Sequence, residues 1–309
     1  MVMMYDVKQY IVKTRMSSKK RILVEGKDDK AHIENLIFEK FEDIKVEIDT
    51  AENIKGENKT TASNNRAKIE HIHNTCKSSK HHRNLHFLCD REYLKFNIGK
   101  EIEDAMNEHE NDGNLNWTIG HSFENYFLDK NIILDAFGYL SGLEFKRSAI
   151  NLFEKILPSA IKLATIIALS AREIKKSSYP GNIQWSYFSI SENSLNFNID
   201  EWKSQNPNEL SKIFVNYVEK FTPIIEKTEL LICSRICRGH TAVLILQRIF
   251  SACLYSVGKD IYEPLSKKSA NEFANIKESS ISSALSEAWI KTIKPENNNY
   301  PLNLINSVA

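Results

Sequence analysis

The chain has 309 residues, 42% of them hydrophobic and 26% charged, enough material for two globular cores. Its 41 basic and 40 acidic residues leave a formal charge of +1, which excludes a polybasic chain drawn to nucleic acid by net charge; such contact needs a local patch. With 10 Gly and 7 Pro, neither disorder nor a turn-dense all-β fold is expected.

In chain order, 21–26 (RILVEG) reads as a short buried strand stopping at Gly26. The next stretch, 28–39, places Ala31, Ile33, Leu36 and Ile37 at helical spacing, with Asp28 and Asp29 where a helix start favours negative charge. Residues 44–48 (IKVEI) alternate as a second strand, 53–65 is a polar loop, and 65–76 a helix. A third strand, 85–90, ends in an acid. Residues 98–110 are expected to be helical, 116–119 a fourth strand, and 123–128 a short helix. Strands alternating with helices predict an α/β fold with a mostly parallel sheet and flanking helices over 1–130.

Beyond residue 130 the segments 146–177, 207–228, 240–257 and 267–292 carry helical spacing, with a break at 175–181. Residues 183–190 (IQWSYFSI) read as a strand or an irregular apolar segment. The expectation for 131–309 is a mainly helical domain. The five cysteines include no Cys-x-x-Cys pair, so reduced thiols are expected and a zinc ribbon is not. The N-terminus has charges where a signal peptide needs an apolar run. The most apolar long stretch, 160–169, is far short of the roughly 20 residues of a membrane span. A cytoplasmic protein with no membrane contact is expected.

Chemistry in a parallel α/β sheet gathers beyond the carboxyl ends of its strands. Three expected strand ends here finish in acids: Glu25 after the first, Asp90 and Glu92 after the third, Glu124 after the fourth. Hard carboxylate oxygens on one edge suit Mg²⁺ or Mn²⁺. Asp90-x-Glu92 can set both acids on one side of an extended chain. Each acid also has a plainer reading: Glu25 as a solvated turn residue, Asp90-x-Glu92 as chance in a charge-rich chain, Glu124 as a helix-start acid capped by Ser122.

VEGKDD at 24–29 with FLCDRE at 87–92 resembles the Toprim domain of topoisomerases, primases and Old-family nucleases. The resemblance implies that Glu25 matches the family Glu, Asp90 the first Asp and Glu92 the second, together binding Mg²⁺, although Glu92 departs from the usual Asp. HSFENY at 121–126 is similar to a Glu-Asn-Tyr segment of Old-like and stand-alone Toprim proteins, which implies a second-metal role for Glu124. A single N-terminal Toprim with a helical tail looks most like the Toprim effector of the PARIS anti-phage defence system. That resemblance implies a metal-dependent nuclease toxin that cleaves RNA, tRNA first. It also implies an AAA- or ABC-type ATPase partner that holds the toxin until infection, and a homodimer when active. An Old-like DNA endonuclease and a non-catalytic binding subunit are the alternatives. Relatives place a late Gly-Lys cation at the site; here the match is Arg238-Gly239-His240, so either Arg238 or His240 is the candidate cation, or the segment only opens a helix.

The densest basic run, 77–83 (KSSKHHR), fits a phosphate backbone but is read here as a solvated loop. Residues 56–61 lack the spacing of a phosphate-binding loop, so ATP hydrolysis by this chain is not expected. No Gly-x-Ser-x-Gly or His-Glu-x-x-His occurs, and no histidine has zinc-like spacing to an acid or a cysteine.

Overall fold

Buried apolar runs of about five residues supply the strands that organise the N-terminal part of the chain. The computed structural model describes residues 5–191, 194–294 and 299–309. It begins with β1 (Tyr5–Asp6) and α1 (Val7–Arg15), a helix the sequence pattern did not reveal. Asp6 caps α1, accepting from the Gln9 N–H at 2.8 Å while the Gln9 side chain accepts from Asp6. There follow β2 (Lys20–Val24), α2 (Lys27–Lys40), β3 (Val46–Thr50), β4 (Ile54–Lys55), α3 (Lys59–Ser63), α4 (Asn65–Cys76) and β5 (Leu85–Cys89). The 53–65 segment, expected as a loop, therefore holds β4, paired in parallel with β1, and α3, capped by Asn58.

The expected helix at 98–110 is instead the antiparallel hairpin β6 (Phe96–Ile98) and β7 (Ile102–Asp104). Its four-residue spacing of Ile98, Ile102 and Met106 mimics a helix. Gly99 turns the chain, its N–H donating to the Glu101 carbonyl at 3.0 Å. Then come β8 (Asn111–Asp112), β9 (Leu115–Trp117), α5 (Lys130–Leu140), α6 (Lys146–Glu173), β10 (Phe188–Ser191), β11 (Ser194–Phe197), α7 (Ile199–Gln205), α8 (Glu209–Lys227) and α9 (Leu230–Ile236). The ambiguous 183–190 segment ends in β10, one arm of a hairpin with β11. The chain finishes with α10 (Gly239–Ala274), α11 (Glu278–Thr292) and α12 (Leu302–Val308). Helical spacing over 240–257 and over 267–292 predicts two separate segments there. The chain instead kinks at Tyr262 (φ −157°, ψ 91°), beside Pro264, and continues to Ala274.

These elements form two compact units. The first comprises the described parts of Met1–Glu92, Met106–Phe123 and Thr292–Ala309; the second comprises Tyr93–Ala105 and the described parts of Glu124–Lys291. A single cut near residue 130 does not represent this interleaving. The fold is α/β in the first unit and mainly helical in the second.

The first unit is built on a five-stranded sheet in the order β3-β2-β5-β9-β8, parallel except for β8 at one edge. Its core joins Val7, Tyr10, Leu23, Ile69, Ile72, Phe87 and Cys89, all nearly or fully buried. The last helix belongs to it: Leu304, Ile305 and Val308 are buried, and Lys20 Nζ reaches the Val308 carbonyl at 3.1 Å.

The second unit packs α6 against α8 and α10 around Phe137, Phe153, Phe250 and Phe273, whose ring centroids lie 4.6–5.6 Å apart. Gly258 is required where α10 passes Phe145 and Ser266, since a Cβ there would lie 2.7 Å from each. By length and composition α10 alone among the described helices is apolar enough to cross a membrane, and 72% of its apolar window is buried within the protein.

Candidate functional site

Strand order fixes the first place to look. From β2 the chain leaves through α2 to β3 on one side, and from β5 it proceeds to β9 on the other. The crevice beyond the carboxyl ends of β2 and β5 is thus a topological switch point, where open α/β sheets bind ligands. Each strand is an apolar run that ends when a carboxylate follows: Val24 then Glu25, Cys89 then Asp90. The pairing of β2 with β5 brings these two together, and the Asp90 N–H donates to Glu25 Oε1 at 3.0 Å.

Burial pushes the Glu25 carboxyl up to about 7, and the charges of Asp29 and Glu92 add to the rise; the Asp90 N–H and Arg66 pull the other way. An ionised Glu25 therefore lacks sufficient positive charge in its surroundings. That is the condition a hard divalent cation relieves, and Mg²⁺ typically uses one or two carboxylates and keeps several waters. Glu25, Asp90 and Glu92 are the residues that could hold such an ion. Among the described residues no three His, Cys, Asp or Glu side chains are already gathered into a metal cage.

The helix start after Glu25 is closed to a phosphate. Asp29 Oδ2 accepts from the Gly26 N–H at 2.9 Å and Glu52 Oε1 from the Lys27 N–H at 3.1 Å, so the positive end of α2 is filled by the protein's own acids. Gly26 permits this: a Cβ there would stand 2.9 Å from Glu52 Oε1.

Glu92 is not on the extended chain expected of Asp90-x-Glu92. Its φ is +51°, a left-handed conformation that disfavours a side chain by about 1 kcal/mol or more. It is held by its N–H donating to the His121 carbonyl at 2.7 Å and by Arg66 Nη1, 3.1 Å from its carboxylate. The intervening Arg91 is fully buried; its N–H meets Thr118 Oγ1 at 3.0 Å and its Nη1 the Ile119 carbonyl at 2.7 Å. Arg91 is thus the anchor that turns the loop, and Arg66 the cation of the site. The sequence pattern identified neither, although Arg66 and Glu70 form an i,i+4 pair on the expected helix.

The FENYF segment (Phe123–Phe127) leads from the first unit into the second, where Glu124 begins a separate cluster. Glu124 is buried, and its Oε1 lies 3.3 Å from His240 Nε2. The opposite ring nitrogen, Nδ1, lies 2.5 Å from Glu278 Oε1 at the start of α11. With a carboxylate at each nitrogen, His240 is pushed up to about 9; the Glu278 hydrogen bond is the largest cause, joined by the charges of Glu124 and Glu278, against burial and Arg238. It is an imidazolium at neutral pH.

Asn125 Nδ2 donates to the carbonyls of Ser234 (2.6 Å) and Cys237 (2.8 Å), pinning the segment that carries Glu124 to the turn ahead of His240. Tyr126 and Phe127 pack on Trp289, with centroids at 5.8 and 5.5 Å. Arg238 turns to the Ser177 carbonyl, 3.2 Å away, so of the two candidate cations His240 is the one brought to Glu124. Glu278, 38 residues from its partner, gave no sequence signal.

The five cysteines are buried and unbridged, and burial raises the thiols of Cys76 and Cys233 to about 11 and Cys237 to about 12, too high for a nucleophile at neutral pH. A scan against protein-family models finds no match to the chain, and a comparison with curated proteins finds none either.

Proposed function

We propose that the chain is a Mg²⁺- or Mn²⁺-dependent nuclease of the Toprim kind, acting in anti-phage defence as an effector that cleaves RNA, tRNA foremost. One observation carries the reading: at the switch point of a parallel sheet, Glu25 lies against the Asp90 backbone with its carboxyl pushed up to about 7 by burial and by acidic neighbours. Glu25, Asp90 and Glu92 would hold the metal, which when bound supplies positive charge for phosphoryl oxygens and an acidic water. Glu25 titrates near neutrality, so its carboxyl can hold or release a proton at physiological pH. Glu124 and His240 pair within the second unit, and the resemblance implies a second-metal role for the one and a phosphate-facing cation for the other.

An ATPase partner that restrains the toxin, and homodimerisation on release, belong to the same proposal. An Old-like DNA endonuclease differs only in substrate. A non-catalytic binding subunit is favoured by one feature: Glu92 and Glu124 already have protein cations, Arg66 at 3.1 Å and His240 at 3.3 Å.

The test is incubation of the purified chain with total tRNA and with plasmid DNA, in Mg²⁺ and in EDTA, beside Glu25→Gln. Cleavage of RNA that needs Mg²⁺ and is lost in the variant supports the proposal. Cleavage of DNA alone gives the endonuclease. An absence of cleavage of either, with no Mg²⁺-dependent rise in thermal stability, leaves the binding subunit.

A further inference from the structure

The amino end of β5, opposite Asp90, borders a separate cavity. It lies among the end of α4, residues 77–83 and the β8–β9 turn, all in the first unit, and has a volume of about 540 Å³, in the range of small-molecule sites.

The cavity rim is cationic. Lys77 has Asp112 at 3.8 Å, but Lys80 and Arg83 are exposed and make no ion pair among the described residues. Two buried histidines also line it, and each has a ring nitrogen with no hydrogen-bond partner: Nε2 of His73, 2% exposed, and Nδ1 of His82, 8% exposed. An unpartnered buried polar atom is costly and rare in a finished fold.

The chemistry of these two nitrogens is determined by their rings. His82 Nε2 is 3.2 Å from the Ile11 carbonyl, and a carbonyl only accepts, so Nε2 carries the proton and Nδ1 presents a lone pair. Burial holds the His73 ring below the ordinary histidine value, which favours its neutral form, and its Nε2 has no hydrogen-bond partner. Phe87 meets the His73 ring edge-on (5.4 Å, 75°), which fixes its direction. One unsatisfied acceptor, a second unpartnered ring nitrogen and two cations with no ion pair among the described residues match a ligand that joins hydroxyls, which donate or accept, to anionic oxygens in one molecule. Inorganic phosphate would meet the cations but turn its charge toward the His82 Nδ1 lone pair. A ribose phosphate answers both.

We infer that this cavity binds a ribose-phosphate unit, of a free ribonucleotide or of an RNA 3′ end, with Lys80 and Arg83 on the phosphate and with His82 Nδ1 and His73 Nε2 hydrogen-bonded to the ribose hydroxyls. The basic run read from sequence as a solvated loop is, in this view, one wall of a binding site. The site stands apart from the carboxylates after β2 and β5 and does not depend on the nuclease reading.

The test is calorimetric titration of the full chain in EDTA, which silences metal-dependent cleavage. The probes are 5′-AMP, its 2′,3′-dideoxy counterpart, and single-stranded RNA and DNA octamers of one sequence. Binding of AMP identifies a free nucleotide as the source, and binding of the RNA octamer alone identifies RNA. In either case removal of the hydroxyls is expected to weaken binding about tenfold or more, as is the pair Lys80→Glu, Arg83→Glu, with an unchanged unfolding midpoint. Lys80→Gln, Arg83→Gln gives the same reading should the charge-reversed pair fold poorly. If neither AMP nor RNA binds, if the hydroxyl-free probe binds as tightly, or if both paired variants bind like the parent, the inference is overturned.

Discussion

Glu25→Gln should make the metal-free protein more stable at alkaline pH, and the size of that gain follows from the site. A carboxyl with an ordinary value of 4.5 titrates here near about 7, so its ionised form costs the fold about 3 kcal/mol at most. The sign follows from the raised value: the contribution to stability is fully present below the unfolded value and is lost as pH rises through about 7. Glutamine keeps the acceptor for the Asp90 N–H at the same length and removes the charge that Asp29 and Glu92 repel. Since Glu25 retains some solvent contact, a gain of about 1–3 kcal/mol is expected near pH 8, and close to zero near pH 4. The assay is urea unfolding of parent and variant at both pH values in EDTA, repeated with Mg²⁺. The parent should recover the deficit on Mg²⁺ addition and the variant should not. A variant no more stable than the parent near pH 8 without metal would show that Glu25 ionises at no cost, and the argument for a cation there would fall.

Three further outcomes are expected. His240→Gln removes an ion pair whose stabilisation is fully present below the ordinary histidine value and lost as pH rises through about 9. Parent and variant should therefore converge in stability at high pH, the gap below being under about 1 kcal/mol because the side chain is half-exposed; a gap that grows above pH 9 refutes this. Asn125→Ala strands the carbonyls of Ser234 and Cys237 and should cost about 2–4 kcal/mol in urea unfolding, far more than Asn303→Ala, whose bond to the His109 carbonyl is only part-buried. Gly258→Ala sets a methyl 2.7 Å from Phe145 and Ser266 and should lower the thermal midpoint by several degrees, for an overpacking cost of about 1–3 kcal/mol; an unchanged midpoint would mean the helix kink yields freely.

How much was legible depended on how local each signal was. The runs before Glu25 and Asp90 are short, apolar and followed by acids, so strand, strand end and candidate acid could all be read from adjacent residues. The α4 bounds matched the reading because Asn64 caps the helix and its apolar positions keep the helical period. The hairpin β6–β7 was missed since four-residue spacing fits both a helix and a strand pair bent at Gly99. The left-handed Glu92 and the buried Arg91 are set by His121, Thr118 and Ile119, almost thirty residues further on. Partners at such separation, like Arg66 for Glu92 and Glu278 for His240, leave no trace in local pattern.

The return of α12 to the sheet unit has a consequence for how the chain is made. A ribosome delivers β2, β3 and β5 early, whereas α12, which packs on β5, emerges only after all of 93–291. The helical unit, contained within 93–291, has all its sequence available before the sheet unit does. Order of completion thus runs opposite to order of synthesis. Until α12 emerges, the acids after β2 and β5 sit on a sheet that lacks a piece of its own covering.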